Sequence, residues 1–383
     1  EFRRVLFRSY HFKTVIPIAG ALVMIQGVAE IVRCVVCLKT GDWPERLRDV
    51  EEIDVVGEQL AHSEFVDEES RRTAMEKAHE IHEAAVARGK TNVEKNLDGF
   101  VSRGRLSADG KAEHMARFSA SADYGTAGDV DVVIEAVFED MNVKKDVFKK
   151  LDAAAKPGTV LATNTSYLDI DEIAAATERP GDVIGLHFFS PAHIMRLLEI
   201  IDADKTADDV VATGFDLAKK LGKVGVLSGV CDGFIGNRIL AKTRKQADYM
   251  IEDGALPWEV DKAIEAWGMA MGPFRVMDLA GLDISWAQRK RLAATRDPNE
   301  RYVAIADRIC EQGWFGQKTG RGWYVYQDGK PSPNADVEKI ILDEATNKSI
   351  QRRALSADEI QSRILMAMIN EGARILDEGI ARR

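Results

Sequence analysis

The chain has 383 residues, enough for two or three domains, and its 45% hydrophobic and 30% charged side chains are the balance of an ordinary soluble protein. A formal charge of −10 argues against nucleic acid, whose phosphates would repel it, and the short basic run Arg289-Lys290-Arg291 is too local to reverse that. Four cysteines, Cys34, Cys37, Cys231 and Cys310, are too few for a disulfide framework and point to a reducing compartment.

In chain order, Glu1–Ser9 reads as a cloning or adapter scar and stands outside the fold. The uncharged stretch from Thr14 to Ala29 follows basic residues and mimics a signal peptide. It is too short to cross a bilayer as a helix, and Thr14–Ile18 reads as a first strand. Cys34-Val-Val-Cys37 has CxxC spacing, but it sits in an apolar, strand-like run with no second ligand pair, so no metal is expected. Residues 43–126 are polar and helix-prone.

Strands and helices then alternate. Val130–Val137 reads as a strand, and Asn142–Ala155 as a helix with Val143, Val147, Phe148 and Leu151 on one face. Lys156-Pro157-Gly158 ends that helix. Thr159–Thr163 is a strand, Ile170–Thr177 a helix, and Val183–Phe189 and Leu197–Ile201 are strands. Such alternation is the signature of a mostly parallel sheet covered by helices, where ligands gather beyond the carboxyl ends of the strands. Asn164, Thr165, Ser166 and His187 fall at such ends. From about Lys205 the strand signal fades. Ala207–Leu221, Gly233–Glu252, Pro257–Trp267, Asp278–Ala294 and Arg301–Gln312 read as helices of a second domain. Asp328–Asn334 reads as a linker. Ser356-Ala-Asp-Glu359 then fits a capping box that opens a helical tail without a terminator before Arg383.

The stretch 183–199 carries the chemistry. His187 is the one titratable group of the first apolar run and Glu199 the acid of the second. An imidazole titrates near working pH, and a neighbouring buried carboxylate fixes its tautomer and stabilises the imidazolium, which together make a general base and its orienting partner. Alone, such a pair is more often structural.

Several motifs stand around it in order: Glu135-Ala-Val-Phe-Glu-Asp140, Ala162-Thr-Asn-Thr-Ser166, Gly185-Leu-His-Phe-Phe-Ser-Pro191, Cys231-Asp-Gly-Phe-Ile-Gly-Asn-Arg238, Gly272-Pro-Phe-Arg-Val-Met-Asp-Leu-Ala-Gly281 and Phe315-Gly-Gln-Lys-Thr-Gly-Arg-Gly-Trp-Tyr324. Over roughly residues 93–326 the chain resembles the L-3-hydroxyacyl-CoA dehydrogenase family, in particular the dehydrogenase part of multifunctional fatty-acid β-oxidation enzymes. The resemblance implies NAD as cofactor and a 3-hydroxyacyl-CoA as substrate. It implies His187 as base, Glu199 as its orienting acid, and Ser166 and Asn237 as the groups that hold the substrate oxygen. Glu139 and Lys144 match residues near the nicotinamide end of the cofactor, and Asn164 is a further cofactor-binding candidate. Each has a plainer alternative: a turn residue for Ser166, a helix-interior polar residue for Asn237, a solvated pair for Glu139 and Lys144.

The dinucleotide fingerprint departs from G-x-G-x-x-G. In Gly20-Ala-Leu-Val-Met-Ile-Gln-Gly27, Gly20 stands at the first glycine, and Met24 and Gly27 match the family, but Leu22 and Ile25 replace the second and third glycines. Those glycines permit the tight turn and the approach of backbone N–H groups to the pyrophosphate. A corrupted N-terminal read, a diverged protein with weakened cofactor binding, and an altered loop that still binds NAD all remain open.

The expected architecture is an α/β Rossmann-like domain with a mostly parallel sheet over 10–202, then an all-α C-terminal domain over 203–327. A linker over 328–355 leads to a partial second helical repeat over 356–383. A hydratase domain upstream is expected in the full-length protein. The protein is expected to be cytoplasmic, without nucleic-acid partner or membrane span, and a candidate homodimer or subunit of a β-oxidation complex. The alternative function is a non-catalytic or cofactor-impaired acyl-CoA-binding or structural protein on the same fold.

Overall fold

The computed structural model describes residues 68–294 and 296–382. Residues 1–9, the strand expected at Thr14–Ile18, the fingerprint with Gly20, Met24 and Gly27, and the pair Cys34 and Cys37 lie outside the described residues. The chain divides into two compact units. The first runs to Phe234 and takes back Gly379–Arg383, and the second is Ile235–Glu378.

Among the described residues, the first unit begins with a long polar helix, α1 (Glu68–Ser102), and a short one, α2 (Ala108–Ala116). Five strands follow: β1 (Val132–Glu135), β2 (Val160–Thr163), β3 (Val183–Phe188), β4 (Leu197–Asp202) and β5 (Val224–Gly229), in spatial order β1-β2-β3-β4-β5. β1, β2 and β3 are parallel, β3 and β4 antiparallel, and β4 and β5 parallel. Helices α3 (Met141–Ala154) and α4 (Ile170–Ala174) bury Phe148, Leu151, Ile170 and Ile173 in one core layer. Helix α5 (Asp208–Lys220) buries Val210 and Ala218 in the other, with Ile184, Leu186, Leu198 and Ile200 of the strands. Both sheet faces are covered, which is why the central strands read as continuous apolar runs rather than alternating ones.

Local chemistry starts and stops these elements. Asp140 caps α3 by accepting from the N–H groups of Asn142 and Val143, and Asp169 caps α4 in the same way through Asp171 and Glu172. Gly185 has a packing reason: a Cβ there would stand 2.3 Å from Ile170 Cδ1 and 2.7 Å from Ile201 Cβ, so only glycine lets α4 settle on β3 two residues before His187.

The second unit holds helices α6 (Gly236–Asp253), α7 (Pro257–Trp267), α8 (Pro273–Ala280), α9 (Leu282–Arg291), α10 (Ile305–Glu311), α11 (Ala335–Asn347) and α12 (Ala357–Asp377), with a hairpin of β6 (Tyr324–Gln327) and β7 (Lys330–Pro333). Met250, Ile251, Phe274, Trp323, Ile341 and Ile364 build its core. Burying each such side chain stabilises the fold by about 1.5–3 kcal/mol.

Four expectations need correction. Strands do not end at 202: β5 joins β4, so α5 and β5 belong to the first unit and the division falls after Phe234. β5 escapes a hydropathy reading because, at the edge of the sheet among the described residues, it contains two glycines and a serine, with Val224 half exposed. The segment 328–355 is not a linker, since it contains β7 and α11. Its Asp328-Gly329 turn has left-handed backbone (φ 50° and 74°), the geometry of a tight hairpin. The helix expected over Asp278–Ala294 breaks at Gly281 (φ 97°). The tail helix has a stop as well: α12 begins with Ser356 Oγ accepting from Glu359 N and ends at Asp377, before Gly379 at φ 71°.

Candidate active site

The antiparallel register of β3 and β4 sets His187 directly opposite Glu199. His187 Nδ1 lies 2.6 Å from Glu199 Oε2, and the two side chains are 4% and 1% exposed. The rings of Phe189 and Phe234 stand 4.5 and 5.7 Å from the imidazole and wall it in. With Nδ1 held by the carboxylate, Nε2 is the nitrogen left to exchange a proton. A buried carboxylate in that position selects the tautomer with hydrogen on Nδ1.

The end of β2 is fastened to the same place. Asn164 N donates to Glu135 O at 2.7 Å, and Asn164 Oδ1 accepts from Phe188 N at 2.8 Å, so this amide bridges the ends of β1, β2 and β3 beside His187. The next turn is built on a single carboxylate oxygen: Glu139 Oε1 accepts from Thr165 Oγ1 (2.6 Å), Ser166 N (2.7 Å) and Tyr167 N (2.9 Å). Glu139 therefore holds the loop that carries Ser166, a role the sequence did not suggest. Ser166 itself is half-buried, with its hydroxyl at the strand end.

Lys144 lies in the first turn of α3. It is 1% exposed, its ammonium donates to Glu135 Oε1 at 2.8 Å, and Glu139 Oε2 lies 3.6 Å away. Glu135 also accepts from Thr163 Oγ1 (2.7 Å) and Val137 N. This buried pair ties α3 to the ends of β1 and β2, under the Glu139 turn. Asn237 is the second residue of α6 in the other unit, three residues along the chain from Phe234.

Two supports were missed by sequence reasoning. Lys223 Nζ donates to Ala192 O and Met195 O, both at 2.6 Å, and pins the loop that leads away from His187; burial lowers its pKa. A cleft of about 320 Å³ is lined by Lys95, Phe100, Arg103, Arg105 and His193. His193 meets Phe100 edge-on at 5.8 Å, and the Arg103 guanidinium lies 5.4 Å from the same ring. The cations come from α1 and its following turn, 88–98 positions before His193, so no local motif announces them. Among the described residues no cluster of His, Cys, Asp and Glu could hold a metal ion, and no helix is long and apolar enough to cross a membrane.

Parallel strands with an imidazole–carboxylate pair and polar side chains gathered at their ends define an α/β dehydrogenase-type site. The family models for the 3-hydroxyacyl-CoA dehydrogenase NAD binding domain and C-terminal domain match residues 67–231 and 233–326. The chain belongs to the 3-hydroxyacyl-CoA dehydrogenase family. It is 48% identical over 281 residues to the peroxisomal bifunctional enzyme of Cavia porcellus, an alignment covering 69% of this chain and 38% of the relative. It is 33% identical over 310 residues to the peroxisomal fatty acid beta-oxidation multifunctional protein of Oryza sativa, covering 79% and 43%. Among solved structures, (S)-3-hydroxybutyryl-CoA dehydrogenase of Ralstonia eutropha superposes with a TM-score of 0.59 at 33% identity, covering 64% of this chain and 88% of that one. The dehydrogenase part of multifunctional enzyme 1 of C. elegans does so with a TM-score of 0.57 at 30% identity, covering 78% and 68%. The chain thus spans about two fifths of the length of the curated relatives it matches. Their names correct the expected cytoplasmic location, because the guinea-pig and rice relatives are peroxisomal proteins.

Proposed function

We propose that the chain oxidises L-3-hydroxyacyl-CoA to 3-oxoacyl-CoA with NAD as hydride acceptor, as a step of fatty-acid β-oxidation. The carrying observation is the buried His187–Glu199 pair at 2.6 Å, at the carboxyl end of a parallel strand. NAD supplies the hydride acceptor when bound. The donor set fits its nicotinamide end: the Asn164 amide and Ser166 hydroxyl are neutral groups at the strand ends, of the kind that a carboxamide can bond. The pyrophosphate cradle falls on Gly20–Gly27, outside the described residues.

His187 Nε2 takes the hydroxyl proton as C3–O becomes a carbonyl, and Glu199 stabilises the resulting imidazolium. A positioned base of this kind contributes about 10²–10⁴-fold. Ser166, held by the Glu139 turn, donates to the substrate oxygen, and Asn237 is the second donor. The cations of the Lys95–Arg103–Arg105–His193 cleft suit the phosphates of coenzyme A, which explains how a protein of charge −10 accepts an anionic substrate.

The test is reduction of acetoacetyl-CoA followed through NADH absorbance, with and without Leu22→Gly and Ile25→Gly. Turnover in either background supports the reading. Saturable NADH binding in the restored protein without turnover would overturn it. A candidate homodimer, or assembly with a β-oxidation partner, is read out in parallel by light scattering.

A further inference from the structure

We propose that Glu371, on α12, is a positioning residue for Asn237. The proposal rests on the reading of Asn237 as a group that holds the substrate oxygen. Helix α6 starts at Gly236 with Ile235 at its N-cap and no side-chain cap, so Asn237 and Arg238 both lie in its first turn. Successive residues of a helix project about 100° apart, at 3.6 residues per turn, so a grip on Arg238 fixes the rotation of that turn and with it the bearing of Asn237.

The grip is a forked, buried one. Glu371 Oε1 accepts from Arg238 Nε at 3.0 Å and Nη2 at 2.8 Å, and its side chain is 4% exposed. Glu378 takes Arg238 Nη1 at 2.6 Å and Nη2 at 3.3 Å, so two carboxylates hold the guanidinium. Planar guanidinium–carboxylate pairs fix direction as well as distance. Lys242 and Arg374 lie 3.9 and 3.8 Å from Glu371 Oε2 and keep its charge balanced.

The helix that presents Glu371 is itself fixed. Ile360 and Ile364 enter the core with Ala247 and Met250 of α6, Gln361 Nε2 donates to Ala263 O at 2.8 Å, and Arg363 pairs with Asp253 at 2.9 Å. One residue after Glu378 the chain re-enters the first unit, where Gly229 N donates to Ile380 O at 2.7 Å, Ala381 bridges Ser228, and Arg382 pairs with Asp202. Residues 357–382 lie beyond the two segments that the family models match, which end at 326. Helix α12 orients the first turn of α6 from within the second unit.

The test is a double-mutant cycle on acetoacetyl-CoA reduction, in whichever background turns over, wild type or glycine-restored. Glu371→Gln should lower kcat about 10- to 100-fold, the size of effect a small misplacement produces, with KM for NADH unchanged. In an Asn237→Ala background the same substitution should change kcat less than about twofold, because the two act through one group. Glu371→Asp, which keeps the pair, should recover most of the loss. Multiplying effects in the double variant, or a wild-type kcat in Glu371→Gln, would overturn the proposal. A wild-type kcat in Asn237→Ala overturns the underlying reading of Asn237 instead. Should Glu371→Gln fail to fold, Arg238→Lys, which keeps the charge and loses the fork, carries the same cycle.

Discussion

Two groups of buried acids differ in what is left over after their hydrogen bonds are counted. In the second unit, Asp261 accepts from Phe274 N, Arg275 N and the Tyr324 hydroxyl, and Asp278 accepts from Trp323 N, Tyr324 N and the Tyr326 hydroxyl, all at 2.8–3.1 Å. Burial pushes both carboxyls up to about 6, against the pull of those donors. In the first unit, Glu199 meets His187 through Nδ1, which leaves Nε2 as the ring nitrogen outside the pair. Asp261 and Asp278 build structure, because the donors around them belong to the fold. The histidine pair can do chemistry because one atom is reserved. A perturbed carboxyl is thus weaker evidence of a site than a polar atom with free capacity in an oriented frame.

The largest effect that sharpens this contrast is expected at the imidazole. His187→Ala should lower turnover of acetoacetyl-CoA and NADH by about 10²–10⁴-fold while the dissociation constant for the acyl-CoA stays within about twofold. Asp278→Ala should do the converse. It strands three buried donors, at about 1–3 kcal/mol each, so a loss of several kcal/mol in urea denaturation should accompany near-normal turnover in whatever fraction remains folded. Substantial loss of stability in the histidine variant, or none in the aspartate variant, would dissolve the distinction.

Smaller effects come from the supports. Glu139→Ala releases three hydrogen bonds from the Ser166 turn and should lower kcat about 10-fold with little change in NADH binding. Arg103→Ala should raise KM for acyl-CoA several-fold, more at low salt than at high, and leave kcat alone. The smallest expected effect is on pH dependence. Asp248, buried between Arg289 and Arg244, is pushed up to about 7, chiefly by burial. Its unfolded value lies near about 4, so the folded state holds more protons between about 4 and 7. Its contribution to stability is therefore complete below that window and is lost as pH rises through about 7. Asp248→Asn should flatten the fall in denaturation midpoint between about pH 5 and pH 8; an unchanged slope would show that another group carries it.

How legible the molecule is in its sequence depends on locality. The strands β1–β4, α3 and the His187–Glu199 pair follow from apolar runs, caps and the single titratable group in each run. The pairing is antiparallel, and that register, not the spacing, brings the two side chains together. β5 and β7 were hidden by glycine, serine and proline in short strands. The Glu139 turn and the basic cleft were hidden because their partners come from distant parts of the chain.

The role of Glu199 is tested most directly by the pH–rate profile of acetoacetyl-CoA reduction by the wild-type protein set against Glu199→Gln. A base whose imidazolium is stabilised by Glu199 predicts a fall in kcat of about 10²-fold in the variant and a rate profile that differs in shape from the wild type. Identical profiles with equal rates would contradict it.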